Sequence, residues 1–348
     1  MKGGKLVPSV LGTRNFLCYT AYMVKTSQKI INYIAKNGQA SGQGLVEYLG
    51  NIGPRAVRKQ LKSLLEQGLL KKIGRPPKVF YLLAKAGGRG AALPEPDKNT
   101  IGIINDRYLF ITPAGEMLSG WEGFFAWCDK TGQQPAKTAN EYIKTLHKYD
   151  AFRKHGFIDG MHKIKQTFKE VFLDKLFYLD FYSIERFGKT KLGQMLLYAK
   201  QSQDKNLMRQ LIKDIRPQIL SAVKKYKIDG VLFVPPTVKR EVQIMKELEK
   251  SLRLPVKTLL VAKVKTAVAV PQKTLNKLED RVENAASTII VEDSGFYKNI
   301  LLIDDAVGSG ATLNETARQI RKKGLCKGRI IGLAITGSFK GFDVISEV

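Results

Sequence analysis

The run Ile300-Leu301-Leu302-Ile303-Asp304-Asp305-Ala306-Val307-Gly308-Ser309-Gly310-Ala311-Thr312 constrains this chain more than any other. Four consecutive apolar residues fit a strand covered on both faces, as in a parallel sheet. Two carboxylates follow where that strand should emerge, and open α/β sheets bind ligands at the carboxyl ends of their strands. Gly308 and Gly310 permit a sharp turn and a close backbone approach. Ser309 and Thr312 add hydroxyls, and a helix predicted over residues 311–323 directs its free N–H groups at an anion. The pattern is a phosphate cradle beside a carboxylate pair suited to hydroxyls or Mg²⁺.

Two better-known phosphate loops do not fit. A Rossmann loop, G-x-G-x-x-G/A, would need a small residue where Leu313 stands, and it would follow the first strand of its unit. Gly188-Lys189-Thr190 has the tail of a Walker loop, but Ser183 occupies the position of its first glycine. A strand, two acids and then S-G-x-T instead resembles the phosphoribosyl-pyrophosphate (PRPP) motif of the type I phosphoribosyltransferases. That resemblance implies an α/β fold built on a parallel sheet over residues 173–348.

Its flanks extend the resemblance. Val231-Leu232-Phe233-Val234 reads as a buried strand ending at Pro235-Pro236-Thr237, with Lys239 and Arg240 just beyond. In the family the loop after this strand holds pyrophosphate, which implies that role for Pro235, Pro236, Thr237, Lys239 and Arg240. A long helix to Leu252 and a strand near 257–262 are predicted next. The segment Lys263-Val264-Lys265-Thr266, followed by Gln272, Leu275, Arg281 and Asn284, is similar to the ComF subgroup, as is Tyr182 to Leu197. There a mobile loop closes over PRPP, which makes Lys263, Lys265 and Arg281 candidates to neutralise its phosphates.

The remaining roles also follow from the resemblance. Asp304 and Asp305 would be the catalytic pair, holding the ribose hydroxyls and meeting Mg²⁺ indirectly, through the PRPP that carries it. Gly308, Ser309, Gly310, Ala311 and Thr312 would bind the 5′-phosphate. Two departures stand out. ComF proteins usually begin with a zinc ribbon, which is missing from this sequence. Gly308 also stands where purine-salvage members carry an acid that serves the base as proton acceptor.

Charge points to a second partner. Lys and Arg exceed Asp and Glu by 27 over 348 residues, an excess that suits a polyanion. It is densest at the start: residues 1–86 hold 15 Lys and Arg against Glu47 and Glu66. Ser27 is placed to cap a helix with Ile30, Ile31 and Ile34 inward, ending at Asn37-Gly38. A short helix follows Ser41. A third, predicted over 54–67, starts on Pro54, whose missing N–H costs nothing there.

Val57, Leu61, Leu64 and Leu65 form one stripe of this third helix, and Arg55, Arg58, Lys59 and Lys62 another. Two strands, about 69–73 and 79–83, flank the turn Gly74-Arg75-Pro76-Pro77. Three helices and a basic hairpin resemble a winged helix-turn-helix DNA-binding domain, here residues 23–86. The resemblance implies duplex DNA as partner. Arg55, Arg58, Lys59 and Lys62 would lie at the major groove, and Arg75 and Lys78 at the hairpin tip would meet the minor groove or phosphates.

Residues 87–172 read as a Gly/Pro-rich linker and a helical connector, with one strand or hairpin arm over 105–112 and helices around 124–127 and 142–146. Trp121 and Trp127 are expected in a core or a dimer contact. Cys18, Cys128 and Cys326 form no C-x-x-C, and His147, His155 and His162 have no zinc spacing with any of them, so no resident metal or disulfide framework is assigned. No signal peptide is read in residues 1–22, with Met23 an alternative start, and no apolar run reaches a membrane span. The expected location is cytoplasmic, without a membrane partner.

Three functions follow as expectations: a PRPP- or nucleotide-sensing DNA-binding regulator, an active phosphoribosyltransferase, or a ComF-like DNA-uptake protein. A homodimer is one arrangement open to such a regulator, although no sustained heptad marks it.

Overall fold

The computed structural model describes residues 25–84, 96–236, 238, 240–264, 266–268 and 270–338. Thr237, Lys239 and Lys265 therefore lie outside the described residues. The chain divides into two compact units, Met1–Ala92 and Leu93–Val348. Among the described residues, no helix is long and apolar enough to cross a membrane.

The first unit runs α1 (Thr26–Asn37), β1 (Ala40–Ser41), α2 (Gly42–Leu49), α3 (Pro54–Glu66), β2 (Leu70–Arg75) and β3 (Lys78–Leu83). Its strands form an antiparallel sheet in the order β1-β3-β2. Ile30, Ile34, Leu45, Val57, Leu61, Leu64 and Leu70 make a small separate core. Local chemistry explains most boundaries. The Gly44 N–H donates to Ser41 Oγ at 3.0 Å, capping α2, and Gly38 leaves α1 at φ 75°. Ser27, expected as a cap, lies inside α1, with Lys25 ahead of it and no side-chain cap bond.

The second unit opens with α4 (Lys98–Arg107), β4 (Leu109–Ile111), β5 (Met117–Ser119), α5 (Gly120–Thr131) and α6 (Pro135–Asp150). The hairpin β6 (Arg153–Lys154) and β7 (Phe157–Asp159) follows, then α7 (Met161–Thr167). Next come β8 (Lys175–Phe181), β9 (Ser183–Ile184), β10 (Gly188–Lys189), α8 (Lys191–Ser202), α9 (Lys205–Lys225), β11 (Gly230–Phe233) and α10 (Ile244–Leu252). The remainder is β12 (Lys257–Thr258), β13 (Val261–Lys263), α11 (Leu278–Thr288), β14 (Ile289–Val291), β15 (Ile300–Val307), α12 (Ala311–Lys322) and β16 (Ile330–Gly337).

A mixed seven-stranded sheet carries this unit, in the order β12-β11-β15-β16-β8-β7-β6. It is parallel from β12 to β8 and antiparallel at the β7 and β6 edge. Both faces are covered, which explains the unbroken apolar runs. Leu232, Ile300 and Leu302 face one core with Leu313, Ala317 and Ile320 of α12. Val231, Phe233, Leu301 and Ile303 face the other, against α8, α9 and α10. Each such Leu or Ile stabilises by about 1.5–3 kcal/mol relative to an exposed one.

The stretch expected as a connector is built into this unit. β6 and β7 extend the sheet, and Ile104, Phe124 and Tyr142 share a core with Leu302. Trp127 packs 5.9 Å from Phe124 and 5.8 Å from Phe187, so it is a core aromatic.

Of the strand or hairpin arm expected over 105–112, residues 105–107 belong instead to the end of α4. Asp97 caps a helix through Thr100, whose N–H donates at 3.0 Å. Arg107 forks onto Asp150 at 3.0 and 3.2 Å, tying α4 to α6. Leu109–Ile111 is the strand that remains, paired antiparallel with β5. The long helix expected between the Pro235-Pro236 loop and Leu252 begins only at Ile244. Just ahead of it the Val242 N–H donates to Gln203 Oε1 at 2.9 Å. The strand near 257–262 splits, β12 pairing with β11 and β13 with β14.

Candidate anion-binding cleft at the sheet switch point

From β11 the chain moves outward to β12, while β15 lies on the other side of β11. Strand order therefore reverses between β11 and β15, where an open α/β sheet leaves a crevice beyond its carboxyl ends. One cleft is lined by Val234, Pro235, Pro236, Val238 and Arg240 after β11, and by 304–312 from the end of β15 and the turn into α12. Of the residues expected at pyrophosphate, Pro235, Pro236 and Arg240 are brought here, some 65 positions from the acidic pair in sequence. All five residues expected at a 5′-phosphate line the same cleft.

β15 continues through Asp304 and Asp305 to Val307. The Asp305 N–H donates to Asp304 Oδ1 at 2.8 Å. Burial, and then the charge of Asp305, pushes the Asp304 carboxyl up to about 8. Gly310 stands at φ 85° as the N-cap of α12, and a Cβ there would come 3.1 Å from Ile164 Cδ1 of α7. Ser309 is buried, and its Oγ accepts the Ala311 N–H at 3.3 Å. The first turn of α12 contains no acid, so the helix's own side chains leave its positive end uncompensated.

Arg281 also lines the cleft, although not from a mobile loop. It sits in α11, nearly fully buried, because Glu279 and Asp280 suit the first turn of a helix there. Its Nε donates to the Leu275 carbonyl at 2.8 Å, and its Nη1 is 3.6 Å from where a Cβ on Gly308 would be. Burial lowers its pKa. Lys263 is elsewhere: on β13, outside the cleft lining, with Nζ donating to Thr288 Oγ1 at 2.5 Å.

Lys200 is the residue that sequence reading missed. It extends from the end of α8 into the cleft, and its Nζ donates to Asp305 Oδ2 at 2.7 Å. Nothing nearby in sequence marks it, since a lysine near a helix C-terminus ordinarily only complements the dipole. The cleft thus carries Lys200, Arg240 and Arg281 against Asp304 and Asp305, an excess of positive charge suited to an anion.

In the first unit, Arg55, Arg58, Lys59 and Lys62 are all exposed on α3 and form one surface with Gly53 and Ala56. Lys62 lies 3.8 Å from Glu66, an exposed pair worth little. Arg75 and Lys78 face each other across the β2–β3 tip. Among the described residues, no group of three or more His, Cys, Asp and Glu gathers as a metal cage. The two-carboxylate set is of the kind Mg²⁺ uses together with ligand phosphate oxygens and water. No family model matches this chain, and no curated protein matches it.

Proposed function

We propose that this chain is a PRPP-binding protein of phosphoribosyltransferase fold with a winged-helix DNA-binding domain, acting as a transcriptional regulator of nucleotide-related metabolism. The observation that carries this reading is the convergence of two sequence-distant anion segments with an acidic pair at the switch point of a parallel sheet. In this reading Asp304 and Asp305 hold the ribose hydroxyls. The backbone of Gly308–Thr312 and the Ser309 and Thr312 hydroxyls take the 5′-phosphate. Pro235, Pro236 and Arg240 lie toward the diphosphate. Asp304 and Asp305 would meet Mg²⁺ only through bound PRPP, and the ion would supply positive charge to the pyrophosphate as it leaves.

The DNA half rests on three helices, a hairpin and the exposed row Arg55, Arg58, Lys59 and Lys62. Gly308 favours sensing over purine salvage: it offers no acid to a base, and a buried guanidinium stands beside it. Catalysis, if present, would rest on positioning and electrostatics rather than on a side-chain base.

Calorimetric titration with PRPP and Mg²⁺ tests the site. Binding is expected for the wild type and is lost in Asp304→Asn/Asp305→Asn; equal binding by both rejects the assignment. Duplex DNA affinity is expected to change when PRPP is added, because an effector shifts that equilibrium only by its differential affinity for the two states. Pyrophosphate release with a panel of bases above background would favour the enzyme over the pure sensor.

A further inference from the structure

The ion pair inside the cleft is delivered by the fold. Lys200 Nζ and Asp305 Oδ2 are 2.7 Å apart, and their side chains are only 12% and 17% exposed. α8 is anchored at its start and along its length. Thr190 Oγ1 donates to the Phe181 carbonyl at 2.6 Å and accepts the Gly193 N–H at 3.1 Å. A Cβ on Gly193 would come 2.1 Å from the Tyr182 carbonyl oxygen, so only glycine permits this approach. Met195, Leu196, Leu197 and Ala199 are buried beneath. The ammonium is thus held at the carboxylate by a packed helix.

As a device for stability such a pair is weak, because desolvating both charges offsets most of their attraction. Its placement suggests another use. Two adjoining carboxylates in a cleft attract a cation, and a divalent ion with water and ligand oxygens is the usual answer. Here the chain supplies the first cation itself.

We infer that Lys200 is a positioning residue of the cleft: a built-in counter-ion that holds and balances Asp305 in the role otherwise left to a free divalent cation. The inference rests on the sugar-phosphate reading of the cleft. It follows that the acidic pair keeps its arrangement without free Mg²⁺. An incoming polyphosphorylated sugar meets Lys200 as a further cation of the cleft lining, with Arg240 and Arg281.

The test titrates the full chain with MgCl₂ alone, and then with PRPP in the presence of either EDTA or Mg²⁺. Wild type, Lys200→Met, Lys200→Gln and Lys200→Arg are compared. Wild type is expected to bind Mg²⁺ alone no tighter than about 1 mM. Lys200→Met and Lys200→Gln are expected to bind it about tenfold tighter or more, a size typical of couplings between close charges. Lys200→Arg should behave as wild type. PRPP affinity should depend more steeply on Mg²⁺ in the two neutral variants than in wild type.

Micromolar Mg²⁺ binding by wild type overturns the inference, whether or not the variants fold. So does an unchanged Mg²⁺ affinity in folded variants. If no form binds PRPP, the sugar-phosphate reading fails, while the Mg²⁺ titration still decides the role of Lys200.

Discussion

Asp304 and the two glycines beside it carry different physical burdens. The Asp304 carboxyl rises from an ordinary 3.8 to about 8 because burial and the neighbouring Asp305 oppose its charge. The folded protein therefore keeps a proton that the unfolded chain releases. Its stabilising contribution is full below about pH 4 and is lost as pH rises toward 8. Melting temperatures measured between pH 5 and 8.5 should fall with rising pH more steeply in wild type than in Asp304→Asn. Parallel curves would show that Asp304 is not the titrating group.

In sequence, Gly308 and Gly310 look alike, as two points of freedom in one loop. The structure separates them. Gly310 needs its positive φ and sits against Ile164, so Gly310→Ala should cost about 1–3 kcal/mol in urea unfolding. Gly308 has no positive φ and only Arg281 Nη1 at 3.6 Å, so Gly308→Ala should be nearly neutral by the same measurement.

At the scale of the element, α3 divides its labour by face. Arg55, Arg58 and Lys62 are exposed, so Arg55→Ala/Arg58→Ala/Lys62→Ala should leave the circular dichroism spectrum unchanged. The triple substitution should weaken duplex DNA binding and flatten its salt dependence by about one unit of slope for each phosphate left without its cation. Undiminished affinity at two salt concentrations would remove α3 from the interface. This helix was readable because its apolar spacing, its Pro54 start and its charges all lie within thirteen residues. The stretch 105–112 was not, because Arg107 answers to Asp150, 43 positions away. No local period carries that information.

For the whole molecule, the separate cores set the cooperative units. Leu61 belongs to the small core of the first unit and is buried there. Leu61→Ala should destabilise that unit by about 2–5 kcal/mol. In scanning calorimetry it should lower one transition and leave the larger one in place. A single transition that moves as a whole would show that the two units unfold together. The larger unit has the opposite lesson. Residues 87–172 read as a linker and connector, yet the stretch from α4 to α7 within them shares a core with β15 and lends strands to its sheet.

By itself the sequence determined what near neighbours decide. A strand runs into two acids, a glycine turn and a helix, and a basic helix shows a clean apolar stripe, because periodicity, caps and turn chemistry act over a few residues. Tertiary structure alone decided which distant residues meet that loop. Strand order placed Pro235, Pro236 and Arg240 across from Asp304, helix packing brought Arg281 beside Gly308, and α8 carried Lys200 to Asp305. Such meetings depend on which strands pair and which helices cover each face. That choice is made by the burial of a whole sheet, and the residues that meet in the cleft leave no trace of it in their own local sequence.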